Sequence, residues 1–187
     1  MKYTEKVQEI VARAVEELKA CRAHSDELGE KYRREEIGGN AYREQLYQIE
    51  QKAIDIRTKW NTELEQIRQA YMATVEEGSL VDGSMLHEDA KLLEMGLTLT
   101  EWQYTKLVEK HRGNQLMTQL LRQYGERHPG LYADMPASPE IKKSEFNGYI
   151  NAAKNVVSVP DTMQAALFET GTYIPSAATE DMPDSRV

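Results

Sequence analysis

A single cysteine, Cys21, stands in a chain of 187 residues. A disulfide framework is therefore excluded, and so is any cysteine-rich zinc module. Cys21 falls at an apolar position of a periodic segment, where a free thiol acts as a small hydrophobe in a reducing compartment. Aromatic residues make up only 7 %, which suits extended helical architecture better than a compact α/β enzyme. No apolar run approaches the length that crosses a bilayer. The N-terminus enters charged, periodic sequence directly, with no secretory leader pattern, so a cytoplasmic protein is expected.

Basic excess is also missing. The formal net charge is −8. Residues 1–77 carry 13 basic and 16 acidic side chains, residues 78–128 carry 6 and 7, and residues 129–187 carry 4 and 8. No segment offers the positive field that holds a phosphate backbone, so nucleic acid is disfavoured as a partner.

What is present is a long seam. Val7, Val11, Ala14, Leu18, Cys21, Ser25, Leu28 and Tyr32 recur at alternating spacings of four and three, a heptad pattern. Charged residues fill the positions between. Glu9/Arg13, Glu27/Lys31 and Glu30/Arg34 have the i, i+4 order that supports a helix by roughly 0.2–0.5 kcal/mol each. Ile37-Gly38-Gly39-Asn40 interrupts the pattern. Two glycines inside a helix cost about 2 kcal/mol, so the helix is expected to end there, with a glycine as its cap and Asn40 capping the next. The seam resumes at Tyr42, Leu46, Ile49, Ala53, Ile56 and Trp60, then drifts through Leu64, Ile67, Tyr71 and Val75. A turn near residue 39 pairs positions whose numbers sum to about 78. Val11 then faces Ile67, Leu18 faces Trp60, Ser25 faces Ala53 and Tyr32 faces Leu46, matching large with large and small with small. The spacing predicts an antiparallel coiled-coil hairpin over 1–77. Tyr47, Ile54 and Ile10 lie off the seam and are available for the second half of the chain or for another subunit.

A small helical bundle is expected over 78–128. Ser84 or Asp82 caps a short helix through Met95, ended by Gly96. Thr98 with Glu101, or Thr100 with Gln103, forms a capping box for the next helix. Gly113-Asn114 interrupts that helix, and another follows through Tyr124, closed by Gly125 and Pro129-Gly130. So small a bundle is expected to lean on the hairpin or a partner. Residues 129–170 read as a proline-rich linker over 129–140 followed by short helices. The first spans 141–157; the second is capped by Asp161 and runs through Phe168. Residues 171–187 are small, polar and acidic, the composition of a disordered tail, or of a docking peptide that orders on binding. The fold class is all-α.

Catalytic signatures are absent. His87-Glu88 begins the zinc-protease pattern, but Lys91 stands where its second histidine belongs. With no second cysteine and no closely spaced histidine pair, no metal site is expected. No phosphate-binding loop and no Gly-x-Ser-x-Gly elbow occurs. No cofactor is expected, and the chain is not expected to be an enzyme. Residues 101–127 have a helix-turn-helix outline, presenting Gln115, Gln119, Arg122, Gln123 and Arg127. That outline supports a second reading, a regulatory module that binds nucleic acid.

Two passages carry a resemblance. One is Gly38-Gly39-Asn40-Ala41-Tyr42-Arg43-Glu44-Gln45-Leu46. The other comprises Leu97-Thr98-Leu99-Thr100-Glu101-Trp102, then Leu107 to Asn114, then Leu120 to His128. Together they resemble small helical proteins from the structural gene clusters of tailed bacteriophages and prophages. The resemblance implies a non-enzymatic scaffolding or virion-associated protein. Its partners would be itself or a larger phage structural protein such as the capsid, met in the host cytoplasm during assembly. The acidic tail departs from the basic capsid-binding C-terminal helix of several phage scaffolds. The residues expected to make contacts are Tyr47, Ile54, Ile10, Trp102, Phe168 and Tyr173.

Overall fold

Two long helices begin the chain. α1 spans Tyr3–Arg33 and α2 spans Gly39–Gly78, about 46 Å and 60 Å at 1.5 Å per residue. In this computed structural model residues 2–160, 162–171, 173 and 174 are described. Among them every element is helical, and no strand occurs. Contacts group the described residues of Met1–Met72 and Lys143–Val187 into one unit, and Ala73–Lys142 into a second.

In the first unit most of the seam is buried, while Ser25, Tyr42, Leu46, Ala53 and Ile67 are only partly covered. Val7, Val11, Ala14, Leu18, Cys21 and Leu28 are buried on α1; Ile49, Ile56, Trp60, Leu64 and Tyr71 are buried on α2. Three contacts fix the antiparallel order. Tyr3 meets the Tyr71 ring edge-on at 5.6 Å. The Trp60 indole donates to Glu17 at 3.1 Å, and Tyr32 stacks on Tyr42 at 4.6 Å. Tyr32 thus pairs with Tyr42 rather than with Leu46, and it stays half exposed because the seam ends there. All three expected i, i+4 ion pairs form on α1.

The turn is built differently from the expectation. α1 stops at Arg33, before the glycine pair. Glu35 N–H donates to Tyr32 O and Glu36 N–H to Lys31 O, both at 3.0 Å. This is a Schellman closure, with Glu35 in the left-handed region at φ 60°. Gly38 and Gly39 take no positive φ. Gly38 O instead accepts the first α2 bond, from Tyr42 N–H at 3.0 Å. Asn40 is already inside α2 and does not cap it; its side chain accepts from Arg43 at 2.9 Å.

α6, Pro139–Ser158, is one helix of 20 residues, longer than expected. Proline at its first position satisfies φ without losing a bond, and Ser138 Oγ accepts from Ile141 N–H at 3.3 Å. α7 spans Met163–Glu169 and is capped by Thr162, whose hydroxyl accepts from Ala165 N–H at 3.4 Å. The expected cap, Asp161, lies outside the described residues, as does most of the expected tail. α6 and α7 pack against the hairpin rather than forming a separate segment. Phe146 stacks on Tyr71 with ring centroids 3.7 Å apart. Tyr149 donates to Thr4 O at 3.4 Å and stacks on Phe168 at 5.1 Å. Lys154 Nζ reaches Glu65 at 2.9 Å, and Arg68 holds the other oxygen of the same carboxylate. Those two cations, Arg68 first, lower the Glu65 carboxyl to about 2. Burial pushes the Tyr71 phenol up to about 12, with the Glu145 carboxylate adding to it.

The second unit holds a 3-10 turn at Gly83–Met85 and three α-helices: α3 at Ala90–Glu94, α4 at Glu101–Lys110 and α5 at Gln115–Arg127. The helix expected through Met95 is therefore split. Asp82 caps only the 3-10 turn, its carboxylate accepting from Ser84 N–H at 2.7 Å. Gly96 follows α3 at φ +68°, the position anticipated for it. Of the two possible capping boxes, Thr100 with Gln103 forms. Leu99, Tyr104, Val108, Leu121 and Tyr124 make a small core. Gly125 lies inside α5 rather than closing it. The Tyr104 hydroxyl, which donates to Leu121 O at 3.0 Å, fills the space a Cβ there would take. Residues 131–135 do not behave as a free linker: Leu131, Ala133 and Met135 pack on this core.

Two measurements check the hairpin. Leu18→Asp and Ile56→Asp each place an unpaired charge at a buried position, and each is expected to cost about 3 kcal/mol or more. Glu16→Lys, on an exposed face, is expected to stay within about 0.5 kcal/mol. Unchanged melting of either aspartate variant in far-UV circular dichroism contradicts this register. Glu35→Gly relieves the left-handed strain and is expected to stabilise by a few tenths to about 1 kcal/mol. A loss of stability in urea titration would mean that the turn closes by another geometry.

Candidate functional site

Side chains with coordination chemistry meet in the second unit. His87 lies in the loop after the 3-10 turn, and Asp89 immediately precedes α3. His111 is the C-terminal cap of α4, its N–H donating to Leu107 O at 3.1 Å. One ligand atom from each of these three residues lies within 4.8 Å of the others. His111 is buried, Asp89 is partly buried and His87 is exposed, so the cluster opens to solvent on the His87 side.

Polar ties hold the three in place. Asn114 does two jobs. Its carbonyl oxygen accepts from Met117 N–H at 3.0 Å, capping α5. Its amide donates to Met85 O at 2.6 Å, which fastens the loop before His87. The His111 carbonyl accepts from Asn114 N–H at 2.9 Å and from the buried Thr118 hydroxyl at 3.1 Å. The backbone of His111 is therefore fixed from both sides.

Asp89 Oδ2 is the hub. Lys110 Nζ and His111 Nε2 both stand 2.7 Å from it. The Lys110 bond first, and the His111 bond next, lower the Asp89 carboxyl below its ordinary value. His87 Nδ1 approaches the same oxygen at 3.3 Å, yet it also accepts from Asp89 N–H at 3.1 Å. An Nδ1 that accepts carries no proton. The His87 Nδ1 lone pair thus lies on the Asp89 N–H, beside the carboxylate oxygen. The His87 and His111 ring centroids are 4.7 Å apart.

Sequence reasoning missed this grouping, because it looked for histidines closely spaced along the chain. His87 and Asp89 are two residues apart, but His111 arrives from the far end of α4, so no short spacing announces the set. The His-x-Asp pair is the one local signal.

The expected contact residues are scattered. Tyr47 and Ile54 are exposed on α2, 61 % and 50 %. Ile10 is half-buried on α1. Trp102 is exposed on α4 in the second unit. Phe168 is buried and stacked on Tyr149, so it is spent inside the first unit and is not a docking residue. Tyr173 sits 6.3 Å from Phe168, partly exposed. The helix-turn-helix outline does form as α4, a turn and α5. Arg122, however, donates to Pro136 O at 2.6 Å, and Ala73–Lys142 carries 11 acidic against 7 basic residues. Among the described residues no helix is long and apolar enough to cross a membrane. No family model, no curated protein and no solved structure matches the chain.

Two substitutions separate the jobs of Asn114. Asn114→Ala loses the cap and the Met85 tie together, an expected cost of about 1–3 kcal/mol. Asn114→Asp keeps a capping oxygen but no donor, so it is expected to retain part of that stability. Equal melting temperatures for the two variants would show that the capping oxygen contributes nothing.

Proposed function

We propose that this chain is a non-enzymatic assembly protein that acts through protein–protein contacts, of the kind that builds tailed-phage particles. Its first partner is a second copy of itself. The observation that carries this reading is the placement of Tyr47 and Ile54. They are one heptad apart on the outer flank of α2, and both are exposed. The named contacts of α6 and α7 with the hairpin fall elsewhere, at Tyr3, Thr4, Glu65, Arg68 and Tyr71. A large aromatic and a β-branched residue at heptad spacing fit the flank of another amphipathic helix. A symmetric pair of hairpins would cover both copies with the same patch, giving a four-helix coiled-coil bundle.

The phage assignment rests on the resemblance of residues 38–46, 97–102, 107–114 and 120–128. A larger virion component would be the further partner.

Sedimentation equilibrium of the full chain tests the self-association. The wild-type chain is expected to form a dimer or larger species. Tyr47→Asp/Ile54→Asp is expected to be monomeric with unchanged helicity, since both positions are exposed. A wild-type chain that remains monomeric at every concentration removes the second copy as partner. Neighbouring genes without capsid, portal or tail functions would remove the phage assignment.

A further inference from the structure

We propose that His87, Asp89 and His111 form a binding site for a divalent transition-metal ion of the zinc type. The inference is independent of the assembly role. It rests on three donor atoms that no local motif brings together and that the fold of the second unit collects from two places in the chain.

The donor set selects the ion. Two imidazoles and one carboxylate suit zinc, cobalt, nickel or copper. Calcium and magnesium take oxygen shells and are poorly served by two imidazole nitrogens. The distances are close to what such an ion needs. Bonds of about 2.0–2.1 Å in a tetrahedron put donors about 3.3 Å apart. His87 Nδ1 and Asp89 Oδ2 already stand 3.3 Å apart. His111 Nε2 and Asp89 Oδ2, at 2.7 Å, must open slightly. The two ring nitrogens lie within 4.8 Å of each other, inside the reach of one ion. His87 is the residue that moves, being exposed and in a loop.

Metal binding exchanges two hydrogen bonds for metal bonds: the Asp89 N–H bond to His87 Nδ1 and the His111 Nε2 bond to Asp89. His87 Nδ1 offers its lone pair toward Oδ2 once the Asp89 N–H bond is given up. His111 binds through Nε2 when its ring proton sits on Nδ1. Lys110, which occupies the Asp89 oxygen as the competing cation, is about half exposed. Withdrawing it forfeits a surface ion pair, the weakest class of electrostatic contact. The solvent-open side next to His87 leaves the fourth position to water.

The role that follows is structural. Leu80, Val81 and Leu86 of the preceding loop are exposed, so apolar burial holds that loop poorly. A metal bridging His87 and Asp89 to His111 would pin the loop to the end of α4. In a unit with so small a core, metal affinity becomes folding stability.

The test uses the full chain, stripped by chelation. It is titrated with zinc against a chromophoric competitor, and separately with cobalt(II). A single saturable site is expected, with visible cobalt d–d absorption and a zinc-dependent rise in melting temperature of roughly 4 °C or more. His87→Ala changes an exposed side chain and is expected to weaken zinc binding at least about 10-fold. His24→Ala, distant in sequence and exposed, is expected to change nothing. In the unmutated chain, zinc is expected to shift the imidazole C–H resonances of His87 and His111 but not those of His24. No saturable binding overturns the proposal. So does unchanged affinity in His87→Ala, or zinc shifts confined to other histidines, each of which would leave a hydrogen-bonded cluster only.

Discussion

The first unit depends on an aromatic tie between segments far apart in the chain. Tyr3 from α1, Tyr71 from α2 and Phe146 from α6 meet in one cluster. Phe146 lies flat on Tyr71 while Tyr3 meets both rings edge-on. Tyr149 extends the cluster to Phe168 of α7. Edge-on and stacked pairs contribute about 0.5–1.5 kcal/mol each beyond the area they bury. Tyr71, Phe146 and Phe168 are among the largest fully buried side chains. A chain with two phenylalanines in 187 residues places both at this junction. Helices with one apolar stripe can pair without such a tie, but α6 and α7 would then have no fixed seat on the hairpin.

This explains what was legible beforehand. Periodicity reports the residues that face inward, so the seam from Val7 to Tyr71 and the antiparallel order of its arms could be read directly. It says nothing about which third element covers the open end. Tyr71 and Val11 read as seam positions like any other, and Phe146 as one residue on a stripe. The turn failed for a different reason. Two adjacent glycines are a strong local signal for a left-handed cap. The chain instead closes α1 three residues earlier, where the carbonyls of Lys31 and Tyr32 are met by Glu36 and Glu35. A glutamate tolerates φ 60° there because two backbone hydrogen bonds offset the strain. The glycines are left to bring the chain round into α2.

In the second unit the local signals were better than the tertiary ones. Thr100, Asn114 and Gly96 act at the helix ends as their types require. The core is small, so polar bonds do much of the positioning. The Tyr124 hydroxyl donates to Leu97 O and accepts from Leu99 N–H at 3.0 Å. Asn114 reaches Met85, and Asp89 reaches Lys110 and His111. Each such bond joins residues separated by 21 to 29 positions. No propensity or period encodes a bond of that range, and the histidine cluster was hidden for the same reason. Gly125 was misread likewise, because the Tyr104 ring that needs its missing Cβ lies on another helix.

Glu65 and Asp89 each gather several positive or polar partners, and the contrast between them decides which one is a candidate ligand. Glu65 divides its partners, with Arg68 on one oxygen and Lys154 on the other. Both partners are permanent cations, and neither has a lone pair to offer. The group is electrically complete, which is why its carboxyl is held so far down. Asp89 directs Lys110, His111 and His87 to a single oxygen. Two of those three are imidazoles, and one of them presents an unprotonated nitrogen. Replacing Lys110 by a divalent ion adds one positive charge at the oxygen and turns both rings from hydrogen-bond partners into metal ligands. The same substitution at Glu65 would set a guanidinium and an ammonium against the incoming ion. A half-buried ion cluster that is only structural should look like Glu65. Asp89 does not, because two of its partners are imidazoles, which can serve as metal ligands once their hydrogen bonds are released.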